Sequence, residues 1–130
     1  MHSELRRVLI ATKEELAERY CGEVGLEEIA KFAGYSPFHF HREFSSLFGK
    51  TPAGFVRELR LAKAKRMLLT SDYSVADVCN EVGYASRTTF SREFARRHGE
   101  PPSEFRRVFS ESGIWRLKLV PVCFMMNRKI

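Results

Sequence analysis

The sequence has no apolar run approaching the roughly 20 residues that span a bilayer, so no membrane segment is expected and the chain reads as soluble. Cysteine is scarce: Cys21, Cys79 and Cys123 are widely spaced, odd in number and without a C-x-x-C pair. Such a set builds no disulfide framework and fits free thiols in a reducing cytoplasm. Met1, His2 and Ser3 open no secretory leader, which again makes a cytoplasmic location the expectation. Missing too are a Gly-x-Ser-x-Gly elbow, a Gly-x-x-x-x-Gly-Lys phosphate loop and a duplicated acid pair, so no enzyme is expected. His39 and His41, two positions apart on a helix, diverge by about 200° and cannot chelate one ion. Neither metal nor cofactor is expected. The length of 130 residues suits one domain, or two small lobes with modest cores, and leaves no room for a separate small-molecule effector domain.

What is present is a duplication. Leu26 to Tyr35, Leu-Glu-Glu-Ile-Ala-Lys-Phe-Ala-Gly-Tyr, returns as Val75 to Tyr84, Val-Ala-Asp-Val-Cys-Asn-Glu-Val-Gly-Tyr. Each copy continues into an Arg-Glu-Phe triplet, Arg42 to Phe44 and Arg92 to Phe94, followed by Gly49 and Gly99. The offset is 49 up to the Gly-Tyr pair and 50 from Phe40 and Phe90 onward, so the second copy carries one extra residue after its turn. A helix, a sharp glycine turn and a second helix with a polar outer face is the helix-turn-helix pattern. Against 16 acidic residues stand 22 lysines and arginines, a net charge of +6. Two helix-turn-helix units in a basic chain point to DNA.

The helices can be placed one by one. Leu5, Val8, Leu9, Leu16 and Tyr20 share one face of a first helix of about four turns. A short helix over about 26–32 turns inward through Leu26, Ile29 and Ala30, and Gly34 supplies the left-handed turn. Ser36 and Pro37 restart the chain as N-cap and first helical residue, and the next helix buries Phe40, Phe44 and Leu47 before Gly49. Thr51 and Pro52 start a long helix to Leu69, with Leu61, Ala64 and Leu68 at three- and four-residue spacing. Ser74 and Asp77 resemble a capping box and open the second copy. Its second helix covers about 87–98, and Pro101 and Pro102 start a last helix through Phe105. No segment before residue 110 alternates with period two, so the class is all-α. The organisation expected is a first helix-turn-helix lobe over 1–55, a linker helix over 56–72, a second lobe over 73–109 and a tail over 110–130.

With Phe40 inward, steps of about 100° put Phe38, Arg42 and Ser45 outward and His41 on the flank. With Phe90 inward, Thr88, Arg92 and Ala95 face outward, Ser91 lies on the flank and Arg87 stands in the first turn. Arginine can donate two parallel hydrogen bonds to a guanine edge, Ser and Thr reach donor or acceptor edges, and Phe38 can pack on a thymine methyl or serve local packing. Backbone N–H groups near Ser36 and Ser86 can hold phosphates, as can Lys50, Arg57, Lys65, Arg96 and Arg97. An interaction module whose arginines meet acidic protein surfaces is the rival, separable by the salt dependence of binding.

These residues carry a resemblance. Leu26, Ile29, Ala30, Ala33, Gly34, Tyr35 and Ser36, then Phe40, Arg42, Phe44, Phe48, Gly49, Thr51 and Pro52, make the chain similar to the DNA-binding domain of the AraC/XylS transcription regulators. Arg60 to Ala64 and the run Val78 to Phe105, with Gly83, Tyr84, Phe90, Arg92, Phe94 and Pro102, extend the match to about residues 5–109. The resemblance implies a seven-helix protein whose two lobes place recognition helices in successive major grooves. It implies base reading by Phe38, His41 and Arg42 in the first lobe and by Arg87, Thr88, Ser91 and Arg92 in the second. It also implies double-stranded DNA and RNA polymerase as partners, activation by contact with the polymerase, and either a stand-alone regulator or the isolated C-terminal half of a larger one; a monomer on DNA is the expectation. Residues after Phe109 have no counterpart in the family pattern, and no function is assigned to them.

Overall fold

The structure, a computed structural model, describes residues 3–22 and 25–112; expectations for the tail over 113–130 lie outside the described residues. Those residues form seven helices and no strand: α1 (Ser3–Arg19), α2 (Leu26–Phe32), α3 (Pro37–Phe48), α4 (Pro52–Thr70), α5 (Val75–Glu81), α6 (Arg87–His98) and α7 (Pro102–Ser112). The all-α expectation holds. The chain divides into two compact units, one through Glu58 and one from Leu59 onward. Residues 52–58 of α4 thus belong to the first unit and 59–70 to the second.

In the first unit Leu5, Leu9 and Leu16 of α1, Ala30 of α2, Phe40 and Phe44 of α3 and Phe55 of α4 are buried. Leu47, expected among them, is half-buried. Phe44 meets Phe48 edge-on at 4.7 Å and Phe55 at 6.5 Å, and the Lys13 ammonium lies 4.6 Å from the centre of the Phe48 ring. Helix starts follow the local chemistry. The Ser36 hydroxyl accepts the His39 N–H at 3.2 Å, and that of Thr51 accepts the Gly54 N–H at 2.9 Å, each satisfying a donor that the first turn leaves free.

The second unit repeats this plan around Leu61, Ala64, Leu68, Val78, Val82, Phe90, Phe94 and Phe105. Ser74 caps α5 through the Asp77 N–H at 3.0 Å, and Ser86 caps α6 through the Thr89 N–H at 3.2 Å. Arg106 of α7 donates to the carbonyls of Leu68 at 3.1 Å, Ser71 at 3.3 Å and Tyr73, tying the end of α4 and the loop before α5 to the last helix. These carbonyls include acceptors that a helix end leaves open.

One aromatic position of the packing is a histidine in the second copy. Where the first unit has Phe48, the second has His98, edge-on to Phe94 at 4.5 Å and 6.1 Å from Phe105. Its Nε2–H donates to the Leu61 carbonyl at 3.3 Å, since a carbonyl can only accept. Burial above all, then the Lys65 and Arg97 charges, lowers its pKa from 6.5 to about 4, against the opposing pull of the Leu61 bond. The unfolded chain therefore binds this proton before the folded one. Stability present above pH 6.5 is lost as the pH falls toward about 4. Discounted for the ring's partial contact with water, the loss is about 1–2 kcal/mol. Urea unfolding at neutral pH and near the lower bound is expected to show this loss in the native protein and not in His98→Phe.

Candidate nucleic-acid interface

Each lobe presents two helices joined by a glycine turn. Gly34 and Gly83 take φ values of 87° and 91°, the left-handed region that glycine enters at no steric cost. Tyr35 N–H donates to the Ala30 carbonyl at 2.9 Å, and Tyr84 N–H to that of Cys79 at 3.0 Å; this six-to-one bond closes the end of the scanning helix. One residue, Tyr35, separates Gly34 from the Ser36 cap, and two, Tyr84 and Ala85, separate Gly83 from Ser86, so the extra residue of the second copy sits in the turn.

The phenylalanines aim the recognition helices. With Phe40 and Phe44 buried in α3, Phe38, His41 and Arg42 are exposed on its other side, and Phe38 keeps 75% of its surface in water. Ser45 is half-buried, its hydroxyl donating back to the His41 carbonyl at 2.9 Å. With Phe90 and Phe94 buried in α6, Arg87, Thr88 and Arg92 are exposed and Ser91 is half-buried. All seven expected base readers thus lie off the core.

The two faces differ in chemistry. In α3 the guanidinium of Arg42 is held: its Nη2 donates to His39 Nδ1 at 3.1 Å, its Nε stands 3.9 Å from Glu43 Oε1, and its centre lies 5.6 Å from the middle of the Phe38 ring. The His39 ring in turn sits 5.9 Å from that of Tyr35. In α6 the face is more basic, with Arg87, Arg92, Arg96 and Arg97 all exposed. Sequence reasoning missed His39 and Tyr35. The signal for His39 was its place three residues before Arg42, where helical side chains meet.

The expected phosphate contacts fare unevenly. Ser36 and Ser86 are exposed caps, but their hydroxyls occupy the N–H groups of His39 and Thr89. Pro37 has no N–H, which leaves that of Phe38 to the first turn of α3, against those of Arg87 and Thr88 in α6. Arg57, Arg96 and Arg97 are exposed. Lys50 is half-buried, with its ammonium 2.7 Å from Glu58 Oε2. Lys65 is a correction: only 7% of it is exposed, so it is no surface phosphate contact. It continues the stripe Leu61, Ala64, Leu68 at the i+4 position, and that stripe faces the core.

Among the described residues no group of three or more His, Cys, Asp or Glu is arranged to hold a metal ion, and no helix is long and apolar enough to cross a membrane. Cys79 is buried, its thiol donating weakly to the Tyr84 carbonyl at 3.6 Å, and burial raises its pKa above the usual thiol range.

Comparison with known proteins fits this geometry. The helix-turn-helix domain family matches residues 29–108. The regulatory protein SoxS of Escherichia coli K12 is 30% identical over 105 residues, 81% of this chain and 95% of SoxS. The chain belongs to the AraC/XylS family of helix-turn-helix transcription regulators. Its fold is that of AraC-type DNA-binding domains. The DNA-binding domain of the global transcriptional factor AdpA, solved in complex with a target DNA, superposes with a TM-score of 0.66 at 30% identity, over 85% of this chain and 96% of that one. A more distant AraC-type relative is the bifunctional transcriptional activator/DNA repair enzyme AdaA of Bacillus subtilis, 27% identical over 95 residues, 73% of this chain and 45% of AdaA.

Proposed function

We propose that this AraC/XylS-type regulator is a sequence-specific activator of transcription that reads two adjacent half-sites with α3 and α6. The observation that carries the reading is the duplicated arginine. Arg42 and Arg92 stand exposed at equivalent positions of two serine-capped helices whose opposite faces bury equivalent phenylalanines. Arg42 and Arg92 take guanine edges, His41, Thr88, Ser91 and Arg87 reach neighbouring donors and acceptors, and the Phe38 ring meets a thymine methyl. Phosphates are held by Arg57, by Arg96 and Arg97 in the last turn of α6 and, separately, by the open N–H groups of the helix starts. The lobes over 1–55 and 73–109, with 56–72 as linker, act as one monomer on the duplex, in the cytoplasm.

The chain binds and does not catalyse. The buried Cys79 thiol, with its raised pKa, is the opposite of an activated nucleophile, and AdaA extends well beyond the stretch it shares with this chain. Activation proceeds by contact with RNA polymerase. Selection of bound duplexes from a random library near physiological salt tests the reading. It should return two short motifs about one helical turn, roughly 10 base pairs, apart. Placed upstream of a promoter, the selected site should raise transcription by purified polymerase when the protein is added. A library with no enriched motif would remove the sequence-specific reading, and unchanged transcript would remove the activator.

A further inference from the structure

The equivalent arginines of the two recognition helices are presented in different ways. Arg92 makes no hydrogen bond or ion pair with another described residue, and the positions matching Phe38 and His39 are Thr88 and Thr89. Arg42 is drawn back along its helix by the two residues three and four positions earlier: His39 Nδ1 accepts from its Nη2 at 3.1 Å, and its guanidinium lies 5.6 Å from the Phe38 ring centre. Because arginine can only donate, this bond needs His39 neutral at Nδ1 with its proton on Nε2. His39 is itself fixed twice, by the Ser36 hydroxyl on its backbone N–H at 3.2 Å and by the Tyr35 ring at 5.9 Å. The pull is toward the N-terminal end of α3, the end that helix-turn-helix proteins set against base edges.

We infer that His39 is a positioning residue for sequence recognition: it presets the Arg42 guanidinium at the base-reading end of α3 without touching a base itself. The inference rests on the reading that Arg42 meets a base. A long arginine side chain loses rotamer freedom when it docks, and a fork already held in place loses less. The first lobe thus discriminates through a preset arginine, while the second docks a freer one.

The test is library selection with the full chain carrying His39→Phe, His39→Asn or Arg42→Ala. Phenylalanine keeps a ring for Tyr35 and removes the acceptor, whereas the Asn Oδ1 stands close to the place of Nδ1. His39→Phe is expected to lower the preference at the base position that Arg42→Ala blurs by about 3- to 10-fold, the scale of one hydrogen bond. The rest of the first motif and all of the second should be unchanged, and His39→Asn should restore most of the preference. An unchanged preference in His39→Phe, even blurring across the whole first motif, or equal blurring by Phe and Asn overturns the inference. If Arg42→Ala itself blurs nothing, base reading by Arg42 falls and its positioning falls with it, an outcome visible in that variant alone.

Discussion

Raising the salt from about 50 to about 200 mM is expected to weaken specific DNA binding by roughly 10³-fold, through release of counterions from about six phosphates. Six exposed arginines displace those counterions, Arg57, Arg96 and Arg97 at the phosphates themselves and Arg42, Arg87 and Arg92 from within the grooves. Each neutralised phosphate contributes about −0.9 to the slope of log affinity against log salt. Replacing Arg96 and Arg97 together by glutamine should therefore flatten the slope by about two and weaken all sequences alike. Fluorescence anisotropy across a salt series reads both quantities. A shallow native slope would mean that the basic face meets a protein, and an unaltered slope in the double variant would place Arg96 and Arg97 away from the phosphates.

Phe94→Ala is expected to destabilise the second unit by about 3–5 kcal/mol, the range for truncating a buried phenylalanine. Its ring is fully buried and contacts Phe90 at 5.9 Å, Phe105 at 5.3 Å and His98 at 4.5 Å, so no neighbour can close the cavity without breaking another contact. Against a typical domain stability of about 5–15 kcal/mol, that is a large fraction. Because α6 takes its register from this residue and Phe90, the second half-site should be lost together with the packing. Hydrogen exchange is expected to show protection falling over residues 59–112 while residues 3–22 and 25–58 keep theirs. Equal loss throughout would mean that the two compact units unfold as one.

Much of this architecture is legible from local signals. Ser36 with Pro37, Thr51 with Pro52, Ser74 with Asp77, and the glycines at 34 and 83 mark helix ends through chemistry confined to a few neighbouring residues, and each marks one in the structure. The Phe40/Phe44 and Phe90/Phe94 pairs orient the recognition helices because four-residue spacing keeps a pair on one face. Lys65 departs from the phosphate role expected of its charge because it lies in the stripe with Leu61, Ala64 and Leu68, which is buried. His98 is hidden from local signals: only alignment of the two copies shows that it occupies the aromatic position of Phe48. The Tyr35, His39 and Arg42 cluster depends on rotamers, which helical periodicity does not specify.

The most direct test of the two-lobed reading is to compare the base preferences selected by the native chain, Arg42→Ala and Arg92→Ala. Each substitution should cost about 1–3 kcal/mol at the preferred site and erase preference at one position of one motif, a different motif for each variant. Equal losses on every sequence, or both substitutions blurring the same motif, would contradict the assignment of one arginine reader to each recognition helix.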